Sequence, residues 1–154
     1  MAIEIERKFL VDDLDAALAG AVACERIAQG YLSADPDATV RVRIRGERGF
    51  LTVKSRNRGA ERGEWEYEIP EADARELLAL SRTPIVDKVR HRVPFGGLVW
   101  EVDVFSRPAG LVLAEVELPR ADARLTLPDW VGREVTSDPR YFNSNLALSQ
   151  SAEI

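Results

Sequence analysis

The chain has few of the side chains that build most cysteine and histidine sites. Its 154 residues include one cysteine, Cys24, and one histidine, His91. One cysteine cannot form an internal disulfide or a cysteine-based zinc site. One histidine leaves almost no material for a histidine-rich metal site or a Ser-His-Asp triad. We expect Cys24 to be a small buried residue and His91 to pack on an outer face.

Long apolar runs are also absent. No stretch approaches the ~20 apolar residues of a membrane span, and the first ten residues, MAIEIERKFL, lack the apolar core of a signal peptide. We therefore expect a cytoplasmic protein without a membrane partner, and its length predicts one domain over residues 1–154. The net charge of −5 argues against a nucleic-acid partner, although a local basic pocket remains compatible with it.

Strands that alternate charged and apolar residues are abundant. Successive side chains of a strand point to opposite faces, so Glu4, Glu6 and Lys8 share one face of the first segment. Several later segments carry only acids or only bases on one face. Their charged positions are Arg41, Arg43, Arg45, Lys54, Glu64, Glu66, Glu68, Lys88, Arg90, Arg92, Glu101, Asp103, Glu115 and Glu117. This sorting favours a polar cavity, since solvated faces should mix Thr, Ser, Gln and Asn among the charges.

The same patterns predict the secondary structure. Strands are predicted over 2–11, 22–33, 39–45, 50–55, 64–69, 86–93, 98–105 and 111–118, and helices over 14–18 and 71–81. A four-residue turn is predicted over 46–49 and a mobile loop over 56–63. The C-terminal part, including 129–130 and 140–148, lacks strand alternation and is predicted to be helical or irregular.

These elements predict an α+β fold. Short connections favour an eight-stranded antiparallel β-barrel, closed or nearly closed, with helices packed outside and a charged interior. The apolar faces of 40–44, 65–69 and 100–104 are expected to pack against the helices, with Trp65, Trp100 and Trp130 in the core or against a helix. Tyr31 is also expected to pack. The alternative is a half-exposed sheet whose charged face meets water.

The ordered charged motifs resemble the CYTH superfamily, also called triphosphate tunnel metalloenzymes. Glu4-x-Glu6-x-Lys8 is similar to its N-terminal signature. The later segments follow the family's order: Arg41-x-Arg43, Lys54, the acidic strand 64–68, Lys88-x-Arg90, Glu101-x-Asp103, Glu115-x-Glu117 and Glu134-Val135-Thr136…Tyr141…Asn143. The resemblance covers essentially the whole chain. It implies an eight-stranded tunnel that binds a triphosphate and divalent metal ions.

Residue chemistry assigns roles within such a tunnel. The candidate phosphate-binding cations are Lys8, Arg41, Arg43, Lys54, Lys88 and Arg90. The candidate ligands for Mg²⁺ or Mn²⁺ are Glu4, Glu6, Glu66, Asp103, Glu115 and Glu117. The candidate catalytic residues are Glu4, Glu6, Lys8, Glu115 and Glu117. The residues at the ends of the charged stripes, Arg45, Arg92, Glu64 and Glu68, are expected to meet solvent or to form salt bridges.

The resemblance favours metal-dependent hydrolysis of inorganic triphosphate to pyrophosphate and phosphate, as in short bacterial members. A class IV-type adenylyl cyclase and a thiamine or nucleoside triphosphatase are alternatives within the family. A non-catalytic polyphosphate-binding module is another alternative, but convergent acids would repel its ligand in the absence of metal. The expected partner is inorganic triphosphate or another small molecule that bears a triphosphate. Edge strands and the apolar C-terminal segment leave room for a homodimer.

Overall fold

The computed structural model describes residues 2–146. In this part of the chain the elements are β1 (Ala2–Val11), α1 (Leu14–Ala19), β2 (Ala23–Ser33), β3 (Ala38–Arg45), β4 (Arg48–Ser55), β5 (Glu61–Ile69), α2 (Glu71–Leu78), β6 (Val86–Phe95), β7 (Leu98–Arg107), β8 (Val112–Glu117), β9 (Val131–Glu134) and a 3-10 helix (Pro139–Tyr141). Neither α-helix is long and apolar enough to cross a membrane, and this holds for every helix within residues 2–146.

Eight strands close into an antiparallel barrel, which confirms the predicted fold. The order around it is β5-β4-β3-β2-β6-β7-β8-β1, and β1 returns to pair with β5. The β1–β5 pairing uses only residues 2–5 of β1, and β9 pairs with the second half of β1 at Phe9 and Val11. The strand β9 was not predicted, because four residues carry too little alternation to be recognised.

Helices cover two apolar areas on the outside of the barrel. Helix α2 places Ala74 against Val42 and Ile44 of β3. Helix α1, whose first turn is capped by the Asp13 carboxylate, joins a second cluster in which the Trp100 ring lies 5.6 Å from that of Trp130. Burial of these apolar side chains stabilises the fold. The predicted packing of strands 40–44 and 100–104 against helices is thereby confirmed.

Apolar side chains fill one end of the barrel interior. Tyr31 pairs with Arg41 across β2 and β3, and directly opposed residues share a face of the sheet, so Tyr31 points inward. It packs with Val86, Phe105 and Leu113, and the cluster is completed by Val135 and Leu146 of the C-terminal part. We call these six residues the apolar floor. The predicted packing role of Tyr31 is confirmed, and the charged part of the interior lies above this floor.

Several predicted boundaries are wrong, three of them for clear structural reasons. Arg45 pairs with Arg48, so Gly46 and Glu47 form a two-residue turn, with Gly46 in the left-handed region that such turns require. Strand β5 begins at Glu61, because its pairing with β1 orders residues that were predicted to lie in a loop. Helix α2 ends at Leu78, three residues earlier than predicted.

Two burial predictions are also wrong. Cys24 is exposed, because it lies opposite His91 on the outer face of the barrel, away from the core. Tyr67 is 61% exposed rather than packed on a helix. Of the three tryptophans, Trp100 and Trp130 are buried and Trp65 is half-buried.

Candidate active site

The charged faces of the strands point into the barrel. They line a cavity of about 190 Å³, which we call the tunnel. Its lining residues are Glu4, Glu6, Arg41, Arg43, Arg45, Lys54, Glu64, Glu66, Arg90, Arg92, Glu101, Glu115, Glu117 and Asn143. Three other predicted site residues, Lys8, Lys88 and Asp103, are buried within the barrel wall beside this cavity. The structure therefore brings the predicted site residues together.

Charge is sorted between two walls of the tunnel. The cationic wall is formed by Arg41, Arg43 and Arg45 of β3 and by Arg90 and Arg92 of β6, with β2 between these strands. The acidic wall is formed by the neighbouring strands β8, β1 and β5. A guest in the tunnel therefore meets arginines on one side and carboxylates on the other, where Lys54 and Lys8 pair with Glu4 and Glu115.

A buried ion cluster anchors the cationic wall. Asp103 has no exposed surface, and its oxygens accept hydrogen bonds of 2.8 and 2.9 Å from Arg90. Lys88 Nζ lies 2.7 Å from the same carboxylate. Burial raises the pKa of Asp103, but Arg90 and Lys88 more than offset this and lower it below its usual value. Asp103 thus orients two candidate phosphate ligands, and its role as a metal ligand stays a prediction.

Lys8 and Glu115 form a second buried pair. The two residues are opposed across β1 and β8, and their Nζ and Oε1 atoms lie 3.4 Å apart. Lys8 Nζ also donates a hydrogen bond to the Tyr141 carbonyl. Burial acts to raise the pKa of Glu115, but Lys8 and Arg90 hold it well below its usual value. Glu115 is therefore ionised and paired with Lys8.

Glu4 and Glu6 are adjacent inward acids with opposite electrostatic surroundings. Lys54 Nζ lies 2.8 Å and Arg62 Nε 3.2 Å from Glu4, and these cations overcome burial to lower the pKa of Glu4 to about 2. Burial, then Glu115 and Glu4, raises the pKa of Glu6 to about 8. In the absence of metal, Glu6 is therefore mostly protonated at neutral pH and hydrogen-bonds to Glu4.

Several polar residues of the interior were not predicted. Gln29 is fully buried, and its Oε1 accepts a 2.8 Å hydrogen bond from Arg43 Nε. Thr52 donates to Glu66 and accepts from Arg41. Both lie in phase with inward residues of their strands, opposite Arg43 and Arg41 respectively. Their alternation with the inward residues of the same strands could have identified both from the sequence. A search restricted to charged residues misses them, because Gln and Thr are neutral.

The acids suit a metal ion in their chemistry. Within residues 2–146, no three Asp, Glu, His or Cys side chains form a ready-made metal-binding group. Lys54 and Lys8 hold Glu4 and Glu115 in ion pairs. Glu6 and Glu117 oppose each other across β1 and β8. Burial and neighbouring acids raise the pKa of both. Crowded oxygen donors with raised pKa values fit a hard divalent cation, which would relieve their repulsion.

The fold and the site define a class of protein: a β-barrel whose interior is built to hold an anion and cations together. The CYTH domain model matches residues 2–147. The chain therefore belongs to the CYTH family, as the ordered motifs indicated.

Relatives of known name match over most of their length. The chain is 48% identical over 149 residues to the inorganic triphosphatase of Acetivibrio thermocellus, a match that covers 95% of this chain and 94% of the relative. It is 39% identical over 152 residues to that of Nitrosomonas europaea, covering 95% and 97%. The crystal structure of the inorganic triphosphatase NE1496 superposes with a TM-score of 0.70 at 35% identity, covering 96% of each chain.

Proposed function

We propose that this protein hydrolyses inorganic triphosphate to pyrophosphate and phosphate in its tunnel, with Mg²⁺ or Mn²⁺ as cofactor. The observation that carries the proposal is the pair of facing walls, one cationic and one acidic, around a cavity of about 190 Å³. Cations alone would suit any polyanion binder. The facing carboxylates add binding capacity for metal ions, which catalysis of phosphoanhydride hydrolysis requires and simple binding does not. The similarity to relatives named inorganic triphosphatase supports this choice of substrate.

The buried arginines favour a highly charged anion. Burial, and then repulsion from Arg41 and Arg90, lowers the pKa of Arg43 to about 9. Three cations held this close in a poorly solvated site repel one another, and an anion between them relieves that repulsion. Arginine also presents a planar set of donors that matches phosphate oxygens. The triphosphate therefore belongs along Arg41, Arg43 and Arg90.

Substrate and metal binding are coupled through exchange of ion pairs. Lys54 and Lys8 now neutralise Glu4 and Glu115. Phosphate oxygens that take over these two lysines would release both carboxylates. The released carboxylates would then be free to take a divalent cation, together with Glu6 and Glu117. Each ligand thus prepares the site for the other.

Hydrolysis requires water to attack a terminal phosphorus while the bond to the bridging oxygen breaks. Glu4, Glu6, Glu115 and Glu117 would hold a divalent cation, which would neutralise charge and activate water at this site. The arginines of the cationic wall hold the phosphates in line and stabilise the charge that develops on the leaving pyrophosphate. A carboxylate of the acidic wall accepts the proton of the attacking water. One triphosphate and one water give one pyrophosphate, one phosphate and one proton.

The test is phosphate release from inorganic triphosphate, ATP and thiamine triphosphate, each with Mg²⁺, with Mn²⁺ and with a chelator. We expect inorganic triphosphate to be the best substrate, and the chelator or the double variant Glu4→Gln/Glu6→Gln to abolish turnover. Glu68→Gln, at an exposed ion pair with Arg48, serves as the control and should retain activity. Turnover that persists in chelator, or equal slow turnover of all three substrates, would contradict the proposal.

A further inference from the structure

One acid interrupts the cationic wall at the tunnel mouth. Glu25 lies in β2, between the cationic strands β3 and β6. Its Oε1 lies 3.3 Å from Arg45 Nε and 3.4 Å from Arg92 Nη2. Both arginines line the tunnel. Glu25 therefore occupies the place of an anion between two cations of this wall, Arg45 and Arg92.

A second cavity adjoins the tunnel at this point. It has a volume of about 270 Å³ and shares Arg45 and Arg92 with the tunnel, while Glu25 and Arg48 complete its charged lining. Arg48 is held by Glu68 at the exposed rim. The space beyond the tunnel therefore offers room and cations for a longer guest, with the Glu25 carboxylate directly in its path.

We propose that Glu25 sets the length of the phosphate chain that the tunnel accepts, an inference that rests on the proposed function. A chain that extends outward from the buried arginines next meets Arg45 and Arg92. The Glu25 carboxylate neutralises these arginines and repels an incoming phosphate. A triphosphate held by the deeper cations avoids this repulsion, and a fourth phosphate has to displace Glu25. The residue thus selects for inorganic triphosphate against longer linear polyphosphates.

The substitution Glu25→Gln keeps the side chain's size and removes its charge. Inorganic tetraphosphate then reacts with water to give triphosphate, phosphate and a proton, by the same bond cleavage. We expect the ratio of kcat/KM for tetraphosphate to that for triphosphate to rise about tenfold, equivalent to about 1.4 kcal/mol. The change should arise mainly from a lower KM for tetraphosphate, because Glu25 contacts no residue of the acidic wall.

Two further variants separate this role from general effects. Glu25→Asp keeps the charge and should keep the wild-type ratio. Glu71→Gln removes an acid from an exposed ion pair with Arg75 on α2 and frees no arginine of the two cavities, so its ratio should also stay at the wild-type value. A ratio that is unchanged in Glu25→Gln, or that rises equally in Glu71→Gln, overturns the proposal.

A binding measurement separates this proposal from the proposed activity. In chelator, thermal unfolding is followed with added triphosphate or tetraphosphate. Glu25→Gln should gain more stabilisation from tetraphosphate than the wild type does, whereas triphosphate should stabilise both to a similar extent. If neither protein hydrolyses triphosphate, the proposed function fails, and this binding difference alone decides the role of Glu25. Equal stabilisation by tetraphosphate overturns that role.

Discussion

Replacing Glu6 with glutamine should make the metal-free protein more stable while it abolishes activity. Burial and two neighbouring acids raise the pKa of Glu6 to about 8 from a usual value of 4.5. Between these pH values the native state keeps a proton that the unfolded chain releases. The metal-free protein therefore loses stability as pH rises from about 4.5 to 8. Glutamine resembles the protonated acid and still offers Glu4 a hydrogen-bond donor. The variant should therefore not lose stability as the pH rises through this range.

The size of the effect follows from the displaced pKa. Each pKa unit corresponds to about 1.4 kcal/mol, and because Glu6 is only half-buried, water at the tunnel mouth screens part of it. We expect Glu6→Gln to be more stable than the wild type by on the order of 2 kcal/mol at pH 8. For a chain of this length, that difference raises Tm by about 4 to 8 °C. The two proteins should converge near pH 5.

The assay is thermal unfolding in chelator from pH 5 to pH 8.5, repeated with added Mg²⁺ or Mn²⁺. The metal should stabilise the wild type more than the variant, since the variant lacks a candidate ligand. Glu47→Gln, in the exposed β3–β4 turn, controls for the loss of one negative charge from an acidic protein. The reasoning is refuted if Glu6→Gln is the less stable protein at pH 8, or if its advantage is the same at pH 5 and pH 8.

Two other substitutions test the residues that position the arginines of the cationic wall. Asp103→Asn removes the buried counter-ion of Lys88, which Arg90 shares, so we expect a loss of about 3 to 5 kcal/mol in the free energy of unfolding, measured by chemical denaturation. Gln29→Met removes the acceptor that orients Arg43, so we expect about a tenfold lower kcat/KM for triphosphate, expressed mainly in KM, with the fold retained.

Each of these predictions has its own control. Asp87→Asn breaks an ion pair in which Arg26 is 73% exposed and should cost less than about 1 kcal/mol. An equally small loss for Asp103→Asn would contradict the anchoring role of the buried cluster. Gln29→Asn keeps an amide acceptor without adding a charge and should retain more affinity than Gln29→Met. Unchanged KM in Gln29→Met would show that Arg43 needs no such partner.

The sequence alone predicted the barrel and most of the residues that line its interior. Alternation along a strand is a local property with a period of two, so Glu4 and Glu6, or Arg41 and Arg43, must share a face wherever the strand lies. Because the apolar residues occupy the opposite face and seek burial under helices, the charged faces are left for the interior. The order of the charged motifs along the chain also indicated the family.

Tertiary structure decided which part of the interior is apolar, which charged residues pair with each other and how their pKa values shift. Tyr31 and Phe105 lie in phase with inward charges, yet they form the apolar floor, because the C-terminal part packs over that end of the barrel. The partnerships of Glu4 with Lys54 and of Asp103 with Arg90 join different strands. The contrast between Glu4 and Glu6 depends on neighbours from three other strands, which supply Lys54, Arg62 and Glu115. Burial and neighbouring charges set the pKa of each residue according to distances in space. The closure of the barrel determines those distances, and position in the chain does not reveal them.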